Sequence, residues 1–156
     1  EVWVVYKGQH VFDAMLRGLG PPKKGTPYGR KTHPKKDPLQ DNQLAVFDYP
    51  EAIASIRSAL IEYEGFRRRQ FTVCGEFGTF DLRPLGGNTF RLALERTHDG
   101  YKKGYQDITL EKGPGIFISA FLDLAAVVRG EKEDDYGLDH ELAVHEAVLK
   151  ASGYDA

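Results

Sequence analysis

The chain has 156 residues, the length of one domain at about 100–200 residues per domain. Its 41% apolar, 12% aromatic and 28% charged residues exclude a disordered chain. Against 23 Asp+Glu stand 21 Lys+Arg, and the net charge of −2 excludes a general polyanion binder. The single cysteine, Cys74, excludes an internal disulfide and a Cys-cluster metal site. A reducing, cytoplasmic setting is the simpler expectation.

The uncharged run from Gly113 to Leu122 is too short to cross a bilayer before Asp123, so no membrane partner is expected. There is no signal-peptide pattern. The sequence opens at Glu1 without Met, which reads as a piece of something longer.

Glu1–Tyr6 (EVWVVY) is β-branched and aromatic and predicts a strand. His10–Leu19 predicts a helix, with Val11, Met15 and Leu19 at i, i+4, i+8. Gly20 suits its C-terminus, and Pro21-Pro22 forbids continuation. Residues 21–42 lack a period and read as a long surface loop.

From there the pattern predicts strands. Gln43–Tyr49 and Ala52–Leu60 are joined at Pro50-Glu51. Arg67–Cys74 and Thr79–Arg83 pair about Gly75-x-x-Gly78, where glycine would supply φ > 0. Phe90–Arg96 and Tyr105–Leu110 pair through Asp99-Gly100. Two helices follow. One carries Phe117, Phe121, Leu124, Ala125 and Val128 and stops at Gly130. The other runs from Asp139, a candidate N-cap, to Ser152, with Gly153 at C′.

Strands followed by helices, without βαβ alternation, imply α+β: an open-faced, mostly antiparallel sheet of six or seven strands with helices packed on one face. Leu44 and Val46 alternate with Ala45, Phe47 and Tyr49, so the second strand is apolar on both sides. Helices can cover one face, and the other then needs a partner, most simply a second copy.

Several strings carry possible chemistry. In Gly8-Gln9-His10-Val11-Phe12-Asp13 a His and an Asp at i, i+3 share a helix face, a pairing suited to proton transfer near neutral pH and equally to helix capping. His140 and His145 are five residues apart, roughly 140° around a helix at ~100° per residue, so they cannot share a zinc ion as histidines at i, i+4 do.

Arg17, Lys23, Lys24, Arg30, Lys31, Lys35 and Lys36 cluster without an acid between them. They make either a solvated loop or a phosphate contact whose binding would fall steeply with salt. Lys24-Gly25-Thr26 has the wrong order for a P-loop. Arg67-Arg68-Arg69 at a strand start would alternate between faces. No G-x-G-x-x-G follows a strand and opens a helix, and Cys74 inside a strand reads as a small buried group.

Three stretches together resemble the C-terminal domain of the Gfo/Idh/MocA oxidoreductases. They are Gly8 to Asp13, Asp41-Asn42-Gln43-Leu44-Ala45-Val46-Phe47-Asp48-Tyr49 running on to Arg67-Arg68-Arg69-Gln70-Phe71-Thr72-Val73-Cys74-Gly75-Glu76-Phe77-Gly78-Thr79, and Phe121-Leu122-Asp123 through Asp139 to Glu146. The resemblance covers nearly all of residues 1–156 and implies a single substrate-binding and oligomerisation domain. Its N-terminal Rossmann partner domain, which binds NAD or NADP, lies outside the chain. No cofactor is expected in these residues themselves.

The resemblance also implies a sugar or polyol substrate, oxidised or reduced at a hydroxyl or carbonyl, and a homo-oligomer formed through the sheet face. It implies neither a nucleic-acid nor a membrane partner. His10 falls on the family's Gly-x-His position, which takes or relays the hydroxyl proton, and Asp13 on the supporting acid. Where many members carry an acid four residues before that His, this chain has Tyr6, and Trp3-Val4-Val5 replaces a glycine-rich run. Tyr6 and Lys7 would tune His10, since a nearby Lys⁺ lowers a His pKa. Arg30 and His33 are candidates for closing over substrate or phosphate. Tyr6 in place of the acid also suits a catalytically silent interaction domain of the same fold.

Overall fold

The structure is a computed structural model that describes residues 2–36 and 38–154, the side chains of residues 2–10 and Ile116 excepted. In chain order its elements are α1 (Val2–Leu19), β1 (Lys24–Arg30), β2 (Asn42–Asp48), β3 (Ile53–Ala59), α2 (Gly65–Arg68), β4 (Phe71–Gly75), β5 (Gly78–Leu82), β6 (Thr89–Leu94), β7 (Gly104–Thr109), α3 (Ile116–Val128) and α4 (Leu138–Ala151). The chain divides into two units, residues 1–62 with 134–156, and residues 63–133.

In the first unit, β1, β2 and β3 form an antiparallel sheet in that order. Alternation along β2 sends Ala45 and Phe47 inward, to 4% and 0% exposure. There they meet Phe12, Met15 and Leu16 of α1 and Val144, Ala147, Val148 and Ala151 of α4, with Ile56 of β3 beside them. Phe12 and Phe47 cross edge-to-face with centroids 5.6 Å apart. The opposite face of the sheet leaves Tyr28, Leu44 and Ile53 exposed.

The second unit holds another antiparallel sheet, in the order β4-β5-β6-β7. One face carries Phe71, Phe80 and Phe90 in a row, with ring centroids 6.1 and 4.9 Å apart. The other face carries a polar row. Thr72 donates to Asp81 at 2.6 Å, and Arg91 donates to Asp107 at 3.1 Å.

The class is therefore α+β, as the sequence implies, with seven strands among the described residues divided between sheets of three and four. In place of the single sheet expected from the sequence, β3 and β4 belong to separate sheets, with α2 between them in chain order. Arg67 and Arg68 belong to that helical turn and do not open a strand. Glu64 enters it at φ 54, and Arg69 lays its guanidinium over the Phe66 ring at 4.0 Å.

Four further expectations change. Residues 2–6 extend α1 and are not a strand: β-branched propensity is weak, and the helix continues from the amphipathic segment that packs the core. Part of the expected loop is β1, an edge strand whose Pro27 need donate no ladder hydrogen bond on its open side. Gly25 in that strand has no room for a side chain, since a Cβ would stand 2.9 Å from Phe47.

Gly75 and Gly78 do pair across the expected hairpin, yet neither has positive φ. What Gly78 supplies is close approach, because a Cβ there would lie 2.7 Å from the Ala93 carbonyl oxygen. Cys74 is exposed, on edge strand β4. Helix ends otherwise follow the glycines: Gly20, Gly130 and Gly153 all have positive φ. The N-cap of α4 is Gly137, which places Asp139 in the first turn, where the helix dipole favours an acid.

Candidate functional site

The continuous helix α1 carries four of the residues of interest. Positions 6, 10, 13 and 17 recur at i, i+4, i+7 and i+11, so Tyr6, His10, Asp13 and Arg17 occupy one stripe of it. The side chains of Tyr6, Lys7 and His10 lie outside the described residues. The first described member of the stripe with chemistry is Asp13.

Asp13 is engaged from two elements. His140, in the first turn of α4, donates Nε2–H to Asp13 Oδ1 at 2.7 Å. Arg17 Nε lies 3.4 Å from the same oxygen. The Arg17 guanidinium also sits 4.0 Å over the ring of Tyr136. The His140 and Asp13 side chains are 23% and 31% exposed, mostly covered but open to water at one edge.

Sequence reasoning weighed His140 only as a possible partner of His145. The structure sends the two rings to different partners, since His145 Nδ1 hydrogen-bonds the Glu141 carbonyl at 2.9 Å. A signal for His140 did exist: it lies four residues before Val144 and so on the buried stripe of α4.

A second cluster organises the loop between β1 and β2. Asp41 is 2% exposed and is the buried charged residue of the described set. Its carboxylate accepts the Thr32 hydroxyl, the Thr32 backbone N–H at 2.5 Å and the His33 backbone N–H at 3.3 Å. The His33 ring adds Nδ1 at 2.9 Å. The Thr32 hydroxyl bond, with those from the Thr32 backbone and His33, outweighs burial and holds the Asp41 carboxyl well below the usual carboxylate range.

His33 is thus tied to Asp41, with an 8% exposed side chain. Arg30, at the end of β1, is exposed and donates to the Gly29 carbonyl at 2.8 Å. The structure therefore brings together Asp13, Arg17 and His140, and separately Thr32, His33 and Asp41. Beside α1, Tyr49 donates its hydroxyl to the Gly20 carbonyl at 3.0 Å, and burial pushes its pKa up.

No Rossmann-type dinucleotide turn occurs among the described residues. Every named strand pair is antiparallel, and no G-x-G-x-x-G turn joins a strand to a helix. Gly113-Pro114-Gly115 does precede α3, but Ile118 stands where the third glycine would be. No group of three or more metal-ligating side chains occurs among the described residues. No helix among them is long and apolar enough to cross a membrane.

No protein-family model matches the sequence, and no curated protein does. Solved structures do. An oxidoreductase from Agrobacterium radiobacter, in complex with NAD+, L-tartaric acid and magnesium, superposes with a TM-score of 0.74 at 12% identity, covering 96% of this chain and 46% of that one. An NAD binding oxidoreductase from Klebsiella pneumoniae gives 0.70 at 14% identity, covering 94% and 46%. The WlbA dehydrogenase from Bordetella pertussis, in complex with NADH and UDP-GlcNAcA, gives 0.54 at 13% identity, covering 96% and 42%. The chain spans about half the length of the structures it matches. The fold of this chain is that of roughly half of such an oxidoreductase.

Proposed function

We propose that this chain is the C-terminal, substrate-binding and oligomerisation domain of an NAD(P)-dependent oxidoreductase. Its substrate class is a sugar, polyol or related small molecule, changed at a hydroxyl or carbonyl. The observation that carries the reading is the match of nearly the whole chain to about half of enzymes crystallised with NAD+ or NADH. The coenzyme would be held by a Rossmann domain outside these 156 residues, a division of labour supported by the lack of a Rossmann-type turn among the residues described. WlbA was crystallised with a nucleotide sugar, which supports a sugar-type substrate here.

In this reading His10 takes or returns the hydroxyl proton, and Tyr6 and Asp13 stand along the same stripe of α1 to support it. Lys7, Arg30 and His33 contribute to substrate contacts. The open face of the first sheet, with Tyr28, Leu44 and Ile53 exposed, would pair with a second copy. In the parent enzyme, His10→Ala should lower the turnover number by about 10²–10⁴, the usual contribution of a positioned acid or base. Unchanged turnover removes His10 from the chemistry. The 156-residue chain alone should show no micromolar heat of binding with NAD(H) in calorimetry, and such binding would overturn the division of labour.

One observation favours a second reading. Tyr6 stands where many family members carry an acid, as a non-catalytic scaffold of this fold would allow. Turnover by the parent protein with any polyol or sugar in the presence of NAD(P) decides against it.

A further inference from the structure

We infer that His140 is a positioning residue. Acting through Asp13, it fixes the helix that bears His10. The inference rests on the proposed role of His10, but its geometry stands apart from that role.

Three observations carry it. First, His140 and Asp13 are 127 residues apart in sequence, and the 2.7 Å bond between them joins the first turn of α4 to the middle of α1. Second, the apolar contacts between these helices begin beside it. Phe12, Met15 and Leu16 share one buried cluster with Val144, Ala147, Val148 and Ala151. Apolar burial is non-directional, so it holds the helices together more than it fixes their rotation. A directed hydrogen bond to a carboxylate resists rotation, because its energy falls steeply with angle.

Third, Asp13 lies one turn after position 10 on the same stripe. Rotation about the α1 axis that breaks the His140 bond would swing position 10 by the same angle. A proton-transfer group misplaced by about 1 Å can lose about a hundredfold in rate. Arg17 shares the carboxylate and is itself braced on Tyr136, so Asp13 stays oriented toward α4 from a second side.

The test uses the full-length protein that carries this chain, with two variants and two readouts. His140→Ala removes the donor. His140→Gln keeps an N–H near the position of Nε2. In His140→Ala the backbone amides of residues 6–13 should exchange with solvent about tenfold faster, the scale of one hydrogen bond to a charged group. The turnover number should fall by about ten- to a hundredfold while KM moves less than about twofold. His140→Gln should recover most of both.

Unchanged amide exchange in His140→Ala, or a Gln variant as impaired as the Ala variant, overturns the inference. So does unchanged turnover in His140→Ala when His10→Ala is inactive. If His10→Ala turns over normally while His140→Ala still loosens α1, the role proposed for His10 fails, and His140 is confirmed as the residue that fixes the helix.

Discussion

The two units of the chain bury apolar surface to very different depths. In residues 1–62 with 134–156, α1 and α4 cover one face of a three-stranded sheet and enclose all ten of the buried apolar residues described. In residues 63–133, a four-stranded sheet lines up Phe71, Phe80 and Phe90, yet none of the buried residues belongs to it. Its helix α3 leaves Phe117, Phe121, Leu124 and Val128 exposed. The difference teaches that hydrophobic periodicity marks which face is apolar but not how deeply it is buried. Depth depends on whether another element lies across it, and that is a property of the tertiary arrangement.

The largest expected effect tests this contrast directly. Phe47→Ala, at 0% exposure with Phe12 edge-on, should cost about 3–5 kcal/mol by urea denaturation. Phe80→Ala, half-buried in the second sheet, should cost about 1–2 kcal/mol, part burial and part ring–ring contact. Equal losses would erase the distinction between the units.

Next in size is Gly25→Ala. Its added methyl would stand 2.9 Å from the Phe47 ring, and overpacking a filled core costs about 1–3 kcal/mol. A stability equal to that of the parent would mean that the ring moves aside freely.

The Asp41 cluster should show itself through pH. Its carboxyl is held below the usual range, so its contribution is fully present above the unfolded value of about 3.9 and is lost as pH falls toward the lower folded value. The urea midpoint should therefore drop in acid, and Asp41→Asn should flatten that drop while lowering stability at neutral pH. An acid limb unaltered by the substitution would remove Asp41 as its source.

The smallest effect belongs to Cys74→Ser. At an exposed edge-strand position it should stay within about 0.5 kcal/mol of the parent. The native thiol should also react with a disulfide reagent without unfolding. A protected thiol would restore the buried reading of that position.

Much of the fold was legible in the residues. The i, i+4 stripe of Val11 and Met15, the glycines at 20, 130 and 153, and the hairpins at 75–78 and 99–100 all match observed elements. Gly78 is there for the nearness of the β6 backbone, which only strand pairing reveals. The candidate site was legible on α1 alone. His140 was visible merely as half of a histidine pair that does not form, because nothing local links position 140 to position 13.

By itself, the sequence determined local matters: which segments alternate at two or at 3.6, where helices must stop, and which residue types could carry a proton. Those follow from backbone sterics and side-chain chemistry within a few residues. Only the tertiary structure decided that residues 2–6 continue a helix, that Lys24–Arg30 is a strand, that seven strands divide into three and four, and that α4 brings His140 to Asp13. Each of these depends on burial and hydrogen bonding between segments far apart in the chain, where weak intrinsic preference yields to packing.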